Sequence, residues 1–396
     1  MNSEVNQHHP AHQNFSSVPA ALIDFIKENS TVIRSPGRIN LIGEHTDYNE
    51  GYVLPAAIDK AAFFVLTPRD DNNINLHSLD FHENYFTTID EFRKSENSSW
   101  PNYILGVAEQ FKKAGAALRG FDGAITGEIP LGAGLSSSAA VECAVAMALN
   151  EISGKKFEKL QLVKMSQRAE NEFVGVRCGI MDQFASVFGI RDHVIKLDCR
   201  SLEYEYVPFK MEGIKIVLFD SGVKHSLASS EYNVRRQQCE AGVEMIRKFH
   251  PEVKSLRDAT MEMLDEFIFP RDKIIYRRCK YVVEENARLL NACEDLKKND
   301  LASFGKKMFA THEGLSHEYE VSCEELDLLV DAVKEHPNVI GARMMGGGFG
   351  GCTINIVPEN VVDDLIRDVA EKFEMKLNQE LKSYIVNIAD GTSAIK

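Results

Sequence analysis

The sequence predicts an α+β fold organised in two domains, and three observations support this prediction. The chain has 396 residues, of which 44% are hydrophobic and 26% charged, as is typical of a globular protein with more than one core. Strand-like and helix-like segments are mixed up to about Pro208, whereas 230–336 has the apolar spacing and charged faces of helices. Domains are therefore expected at 18–207 and 208–396.

The individual elements follow from hydrophobic periodicity and residue type. Runs of β-branched and aromatic residues indicate strands, and apolar residues that recur every three to four positions indicate helices. The predicted strands are 31–34, 52–66, 122–129, 187–197, 214–219 and 352–357. The predicted helices are 103–117, an Ala-rich segment that ends near residue 150, 157–171 and most of 230–336. Residues 70–75 are expected to form a polar loop.

Charge and cysteine content exclude several classes of protein. A net charge of −14 argues against a general nucleic-acid or membrane-surface binder, which would carry a basic patch. The eight cysteines are scattered without a Cys-x-x-Cys pair, so they are expected to be free thiols in a reducing compartment. The polar leader 1–17 lacks the apolar core of a signal peptide. We therefore expect a cytoplasmic protein, and because nothing indicates an obligate assembly, a monomer.

The most informative segment is PLGAGLSSSAA at 130–140, which leads into the Ala-rich helix. Gly132 and Gly134 allow a tight turn and a close approach of the backbone to a bulky anion. The following serines lie where the helix begins, and the free N–H groups and partial positive charge of a helix start suit a phosphate. No Gly-Lys-Ser/Thr follows, so the balancing charge must come from dipoles, a metal or a distant basic residue. The alternative is a glycine turn with a serine-capped helix.

A second glycine cluster lies at 343–351, with its five glycines in 346–351. Gly346, Gly348 and Gly351 match the spacing of the dinucleotide-binding fingerprint, but that fingerprint requires a following helix. A strand-like segment follows here, close to the end of the chain, so a dehydrogenase is a poor interpretation. The glycines still imply a close backbone approach, either to a ligand or to the first glycine loop.

Two further segments concentrate polar residues next to apolar ones. In GRINLIGEHTDY at 37–48, Glu, His, Thr and Asp follow an apolar stretch and suit a ligand with several hydroxyl groups. A metal site or a polar surface turn are the alternatives. In CGIMDQF at 178–184, Asp182 lies among apolar neighbours, where a carboxylate is costly unless it is paired or functional. A helix N-cap is the alternative for Asp182.

Together these segments resemble the galactokinases of the GHMP small-molecule kinase superfamily. The resemblance rests on GRINLIGEHTDYNEGYVLPAAI (37–58), LGAGLSSSAA, CGIMDQF, HSLASSEYNVRRQQC (225–239), YEVSCEELD and GGGFGGC, and it covers nearly the whole chain outside the leader. It implies a two-lobed GHMP kinase fold with the active site in the cleft between the lobes. It also implies ATP-dependent phosphorylation of D-galactose at the anomeric hydroxyl, which gives α-D-galactose 1-phosphate and ADP, the first committed step of the Leloir pathway.

The resemblance also implies roles for individual residues. Asp182 matches the catalytic base that takes the proton of the anomeric hydroxyl, and Arg38 matches the arginine paired with it. Ser138 and Glu170 match the Mg²⁺ ligands. The residues that match sugar contacts are Glu44, His45, Asp47, Gly179 and Tyr232. The residues that match ATP contacts are Gly132, Ala133, Gly134, Leu135, Ser136, Ser137 and Ser138 at the phosphates, and Trp100 and Tyr103 near the adenine, although the lone tryptophan could equally be a core residue.

Two other functions stay open at this point. One is a related sugar kinase that acts on N-acetylgalactosamine or arabinose. The other is a non-catalytic sensor of galactose and ATP that binds a transcriptional repressor. The intact 136–140 segment, together with Arg38 and Asp182, favours an enzyme over a sensor.

Overall fold

The computed structural model describes residues 17–223, 228–334 and 336–395. Within these residues the strands form sheets of six, four and three strands, surrounded by α-helices. The predicted α+β fold is therefore confirmed. The leader 1–16 and residues 225–227 of the predicted HSLASSEYNVRRQQC motif lie outside the described residues.

The six-stranded sheet organises the first part of the chain. Its strands are β1 (Thr31–Asn40), β3 (Pro55–Pro68), β4 (Asn73–Ser78), β5 (Glu83–Thr88), β6 (Phe121–Gly127) and β13 (Ser393–Ile395). They lie in the order β13-β1-β3-β6-β4-β5, and the β4–β6 pair is parallel while the other pairs are antiparallel. The central β3 is apolar nearly throughout because both of its faces are buried.

Helices cover one face of this sheet. They are α1 (Trp100–Lys113), α2 (Ser137–Ile152) and α3 (Lys159–Arg168). The small alanines of α2 let its backbone lie close to β1 and β3, where Ala144 and Leu149 share a buried cluster with Phe64 and Leu66. This packing fixes the start of α2 at one end of the sheet, and with it the preceding loop at 130–136 (the first glycine loop), here called the glycine-serine loop.

The remaining elements form two smaller sheets and a helical layer. The three-stranded sheet contains β2 (Tyr52–Val53), β7 (His193–Asp198) and β8 (Tyr204–Pro208), and the four-stranded sheet has the order β10 (Gly341–Met344), β11 (Cys352–Pro358), β9 (Ile214–Asp220) and β12 (Lys382–Val386). The helices are α4 (Met181–Phe188), α5 (Ala228–Arg247), α6 (Met261–Phe267), α7 (Lys273–Lys297), α8 (Leu301–Glu313), α9 (Glu324–Lys334) and α10 (Val362–Leu377).

The parts on either side of the predicted boundary share a core. Ile39 and Leu54 from the first part pack in one buried cluster with Leu218, Ile354 and Phe304 from the second. The chain also returns to its beginning, because β13 pairs with β1 in the six-stranded sheet. The boundary between 207 and 208 stays a prediction. It falls at the last residue of β8, before β9 begins the four-stranded sheet at Ile214.

Several predicted elements are confirmed and two are wrong. The strands at 214–219 and 352–357 and the helical content of 230–336 agree with the structure. The strand predicted at 187–197 begins only at His193, because Val187 and Phe188 end α4 before Gly189. The loop predicted at 70–75 is partly strand β4. All eight cysteines are free, and none of the helices in the described ranges is both long and apolar enough to cross a bilayer.

A tight contact between α8 and the residue before β10 gives a test of the packing. A Cβ on Gly305 of α8 would lie 1.8 Å from the carbonyl oxygen of Ile340, just before β10. Gly305→Ala should therefore force α8 and β10 apart and lower the free energy of unfolding by about 1–3 kcal/mol. Gly154→Ala is the control, because a Cβ there would meet nothing within 4 Å. Chemical denaturation of both variants is the measurement, and equal stability would contradict this contact.

Candidate active site

A cavity of about 380 Å³ lies where the sugar-loop segment 37–48, α4, α5 and the second glycine cluster meet. The structure brings many of the predicted site residues together around it. Those that line the cavity are Arg38, Glu44, His45, Asp47, Glu170, Gly179, Asp182 and Tyr232. Residues 346–348 of the second glycine cluster also line it. Segments that are more than 300 residues apart in sequence therefore form one pocket.

Arg38 and Asp182 form a bidentate ion pair at the wall of this cavity. Arg38 Nε donates to Asp182 Oδ1 at 2.9 Å, and Nη2 donates to Oδ2 at 3.1 Å. Arg38 lies at the irregularity of β1 after Pro36 and is only 5% exposed. Burial lowers the pKa of Arg38, but the neighbouring carboxylates of Asp182 and Glu44 more than offset this effect, so that the pKa is raised. The guanidinium is a fixed positive charge.

The same pair is tied to the glycine-serine loop. Arg38 Nη1 donates to the Gly134 carbonyl at 2.6 Å, and Ser136 Oγ donates to Asp182 Oδ2 at 2.6 Å. Asp182 lies in the first turn of α4, where Ile180 is the N-cap residue. The carboxylate is thus held by three hydrogen bonds from side chains, and the N-cap alternative for Asp182 is wrong.

The glycine-serine loop owes its shape to a left-handed turn. Gly132 and Gly134 have positive φ angles of 81° and 73°, and Ser136 has φ 58° and ψ 49°. Ser136 occupies the N-cap position of α2 but makes no side-chain capping hydrogen bond, so the expectation of serine capping is wrong at this residue. Its hydroxyl serves Asp182 instead. The first N–H groups of α2 lack intrahelical partners, which suits an anion.

The predicted metal ligands lie next to each other beside this loop. Ser138 Oγ donates to Glu170 Oε1 at 3.1 Å, and Glu170 lies in the π-helical turn Ala169–Val174. Gln183 Nε2 donates to Glu170 Oε2 at 2.7 Å and to Glu142 Oε2 at 3.1 Å. Burial, reinforced by neighbouring carboxylates, raises the pKa of both Glu142 and Glu170.

These groups fit a magnesium ion. A carboxylate and a hydroxyl are hard oxygen donors, and Mg²⁺ is commonly held by one or two carboxylates together with substrate phosphates. Among the described residues no group of three or more His, Cys, Asp or Glu side chains forms a metal cluster. A site built from Ser138 and Glu170 therefore needs oxygen atoms from a bound phosphate to be complete. A bound cation would also offset the free-energy cost of burying the Glu142 and Glu170 carboxylates.

Glu44 is held by a second buried arginine that the sequence did not reveal. Arg343 of β10 is fully buried, and its Nη2 donates to Glu44 Oε1 at 3.0 Å. The Gly346 N–H donates to the same oxygen at 2.8 Å. Arg343 Nε also donates to the Leu41 carbonyl at 2.8 Å. The second glycine cluster therefore supports the sugar-loop segment from behind.

The second glycine cluster also approaches the first one. A Cβ on Gly351 would lie 3.7 Å from the Ala133 carbonyl, and one on Gly134 would lie 3.8 Å from the Met345 carbonyl. The expected approach to the first glycine loop is thus observed, whereas contact of 346–348 with a ligand stays a prediction, although these residues line the cavity.

His45 is fixed by a chain of hydroxyl groups. Its Nδ1 lies 2.7 Å from Tyr48 Oη, which lies 2.8 Å from Tyr319 Oη, and Tyr319 Oη lies 3.1 Å from Cys239 Sγ. Burial, only partly offset by the Gly347 backbone, lowers the pKa of His45 to about 3, so the ring is neutral. The other ring nitrogen, Nε2, is buried without a hydrogen bond to the described residues. His45 Nε2 can therefore form a hydrogen bond with a neutral ligand.

Asp47 faces Gly179 across a very small gap. A Cβ on Gly179 would lie 1.7 Å from Asp47 Oδ2, so only glycine fits there. Burial, followed by the nearby charges of Asp182 and Glu44, raises the pKa of Asp47 to about 7. Asp47 is therefore partly protonated near neutral pH.

The two residues expected near an adenine do not line the cavity. Trp100 begins α1 and is 8% exposed in the core below the six-stranded sheet, and its Nε1 donates to Glu83 Oε2 at 2.8 Å. This position matches the core alternative for Trp100. Tyr103, one turn further along α1, is close enough to Glu170 and Glu142 for burial and these carboxylates to raise its pKa to about 12.

Sequence reasoning missed several residues that shape the site. Arg343, Gln183, Glu142, Tyr48 and Tyr319 act through contacts between segments that are distant in sequence. Two of them carried a local signal. Glu142 is a carboxylate among the alanines and other apolar residues of α2, and Arg343 lies three residues before Gly346, the first glycine of the second glycine cluster.

Comparison with known proteins gives a consistent result. Models of protein families match residues 24–68 as the galactokinase galactose-binding signature, 102–190 as the GHMP kinase N-terminal domain and 292–374 as the GHMP kinase C-terminal domain. A galactokinase of Thermotoga neapolitana is 43% identical over 363 residues, covering 92% of this chain and 99% of the relative. A galactokinase of Clostridium acetobutylicum is 42% identical over 376 residues, covering 94% and 96%.

Solved structures agree with these relatives. Lactococcus lactis galactokinase, crystallised with galactose, superposes with a TM-score of 0.90 at 33% identity and covers 96% of this chain and 99% of its own. Methanococcus jannaschii mevalonate kinase superposes with a TM-score of 0.64 at 17% identity and covers 92% and 100%, and it shares the fold. The expected two-lobed GHMP kinase fold is thereby confirmed.

The buried Arg343–Glu44 pair can be tested through stability. Arg343→Gln would leave Glu44 buried with an incomplete set of partners, so the free energy of unfolding should fall by about 3–5 kcal/mol. Arg367→Gln is the control, because Arg367 pairs with Asp364 on the surface and its loss should change little. Denaturant unfolding at pH 7 is the measurement. If both variants were as stable as the unchanged protein, the pair would not support the sugar-loop segment.

Proposed function

This chain belongs to the galactokinase family of GHMP kinases, and on that premise we propose the reaction it catalyses. The terminal phosphoryl group of ATP is transferred to the anomeric hydroxyl of D-galactose, giving α-D-galactose 1-phosphate and ADP. The observation that carries the proposal is the ion pair of Arg38 and Asp182, which touches both the cavity and the glycine-serine loop. The sugar and the phosphates would meet at this pair.

Asp182 is the proposed base. Its carboxylate lies at the cavity wall, where the anomeric hydroxyl would approach, and it is held by Arg38 and Ser136. Oδ2 accepts two of these hydrogen bonds and Oδ1 only one, so Oδ1 keeps a free acceptor position, since a carboxylate offers about four in all. Asp182 would take the hydroxyl proton as the oxygen attacks phosphorus, while Arg38 offsets the charge of the transferring group. Phosphoryl transfer depends mainly on such positioning and charge stabilisation.

The sugar would occupy the part of the cavity lined by Glu44, His45, Asp47, Gly179 and Tyr232. Glu44 and Asp47 offer carboxylate oxygens as acceptors, and the neutral His45 ring offers Nε2. Glycine at 179 removes the side chain that would otherwise collide with Asp47. These groups suit a ligand with several adjacent hydroxyls.

The ATP phosphates would lie against residues 132–138, where the positive φ angles turn the backbone toward the start of α2. Ser138 and Glu170 would hold a Mg²⁺ ion, which supplies neutralising charge in a loop that lacks a lysine. Gln183 keeps Glu170 oriented toward Ser138. Tyr103 stays our candidate for the adenine side, whereas the burial of Trp100 favours a packing role.

We further infer that the partners are small molecules alone. The net charge of −14 disfavours nucleic acid and anionic membranes as partners. A monomeric, cytoplasmic enzyme remains our prediction.

The activity itself is tested by ADP release from Mg-ATP with galactose, N-acetylgalactosamine, glucose and arabinose in parallel. A clear preference for galactose supports the proposal. Turnover of another sugar alone would keep the kinase and change the substrate. Binding of ATP and galactose without ADP release would make the protein a sensor.

The role of Asp182 is tested by Asp182→Asn and Asp182→Ala. Loss of general-base help should lower kcat by roughly 10²–10⁴-fold, with little change in KM for ATP because the glycine-serine loop is intact. Asp331→Asn, an exposed aspartate on α9, is the control. Steady-state kinetics provides the measurement. Near-normal turnover of the Asp182 variants would mean that this carboxylate is structural and that catalysis is electrostatic.

The role of Asp47 is tested by pH. Its pKa of about 7 means that the carboxylate, which accepts hydrogen bonds from the sugar, becomes available as the pH rises from 6 to 8. The ionised fraction increases about tenfold over this range, so KM for galactose should fall by up to that factor. Because the folded-state pKa is raised, the ligand-free protein should also lose stability as the pH rises through 7.

Asp47→Asn is the matched variant for both effects. We expect it to raise KM for galactose and to remove the dependence of this KM on pH, while KM for ATP stays the same. An unchanged pH profile in Asp47→Asn would show that another group is responsible.

A further inference from the structure

A second cavity adjoins the candidate active site. Its volume is about 410 Å³, and three residues line both cavities: Asp47, Cys178 and Gly179. The rest of its wall comes from α3, the turn that follows α3, the loop after β7 and α5. The two cavities are therefore separated by a wall that includes residues of the sugar site.

The charged side chains around the second cavity are mostly cations. Lys164, Arg168, Arg200 and Arg236 line it, whereas Asp47 is its one carboxylate. Four cations around one cavity contrast with the net charge of −14 for the whole chain. Because a concave surface lined by charges of one sign concentrates ions of the opposite sign, this cavity attracts anions.

Three of these cations are available to a ligand. Within the described part of the chain, the side chains of Lys164 and Arg168 make neither a hydrogen bond nor an ion pair. Arg236 pairs with Glu240 one turn further along α5, at 3.0 Å, and Glu240 is 60% exposed. Exposed pairs of this kind contribute little, so a bound anion can compete with Glu240 for Arg236.

Neutral donors complete the lining. Gln167 and Asn171 each have an amide nitrogen 3.4 Å from the Cys178 carbonyl, which is a long hydrogen bond. Arg200 donates to the carboxylates of Glu50 and Asp258 at 2.8 Å each, and these bonds fix its position in the cavity wall. The cavity thus combines free cations with weakly bonded N–H donors, and this combination recognises phosphate oxygens.

We propose that the second cavity binds a phosphate group, either as inorganic phosphate or as part of a phosphorylated sugar. Lys164 and Arg168, one turn apart on the same face of α3, contact it from one side, and Arg236 of α5 contacts it from another. A cavity of about 410 Å³ leaves room for a sugar attached to the phosphate.

The bound anion acts on the sugar site through the shared wall. The contact between Gly179 and Asp47 leaves no free space, since a Cβ on Gly179 would lie 1.7 Å from Asp47 Oδ2. A negative charge behind this wall disfavours the ionised form of Asp47, which the proposed function uses to accept sugar hydroxyls. The anion therefore raises KM for galactose and leaves kcat unchanged.

The binding is tested by calorimetric titration of inorganic phosphate and of glucose 6-phosphate into the full-length protein. Galactose and Mg-ADP are present at saturation to fill the active site, and ionic strength is held constant with chloride. The variant K164Q/R168Q is compared with K248Q/K306Q, which removes the same charge from two exposed lysines elsewhere. We expect the unchanged protein and K248Q/K306Q to bind alike, and K164Q/R168Q to bind about tenfold more weakly or not at all.

The possible results of this titration lead to opposite conclusions about the second cavity. Binding that depends on Lys164 and Arg168 supports the site, and the tighter of the two probes identifies free phosphate or a phosphorylated sugar as its ligand. Equal binding by all three proteins would indicate an adventitious ion only, and no binding would show that the cavity takes no phosphate. Either result would overturn the proposal. This readout does not use turnover, so its failure is distinct from a failure of the proposed function.

The coupling is tested by kinetics with the same proteins. Phosphate should raise KM for galactose about fivefold in the unchanged protein and in K248Q/K306Q, but not in K164Q/R168Q, whose kcat without phosphate should be unchanged. An equal rise in K164Q/R168Q would assign the effect to the active site and overturn the coupling.

Discussion

The structure of the site depends on one buried guanidinium. Arg38 is nearly inaccessible to solvent, and a charge in that position is stable only if it is paired and fully hydrogen-bonded. Its partners are the Asp182 carboxylate and the Gly134 carbonyl. Satisfying Arg38 therefore requires β1, the glycine-serine loop and α4 to meet at one point. The left-handed conformation of Ser136, which places its hydroxyl on Asp182, belongs to the same arrangement.

A second buried arginine, Arg343, is also paired with groups from a segment that is distant in sequence. Arg343 joins β10 to the sugar-loop segment through Glu44 and the Leu41 carbonyl. One arginine thus arranges the residues proposed for phosphoryl transfer, and the other supports those proposed for sugar binding. Because each pair connects segments far apart in sequence, the cavity forms only when the whole chain has folded. The residues that do the proposed chemistry and the residues that hold the two parts together are largely the same.

Much of the fold and of the candidate site could be predicted from the sequence, for local reasons. Strand β11 and the helices after residue 230 have strong periodicity, and the glycine and polar motifs are contiguous. Strand β4 was missed because Asn, His and Ser alternate with only two buried apolar residues. The end of α4 resembles a strand in sequence because Val187 and Phe188 are apolar and only residues 189–192 separate them from β7. Arg343 and Tyr319 could not be assigned, since their partners are set by tertiary contacts rather than by spacing.

The most direct test of this account is a double-mutant cycle on kcat with Arg38→Gln, Asp182→Asn and the double variant. If the two residues act as one unit, the double variant should be about as slow as the slower single variant, because removing either partner already disables the pair. Losses that simply multiply would show that Arg38 and Asp182 act independently, and would contradict the claim that this ion pair organises the site.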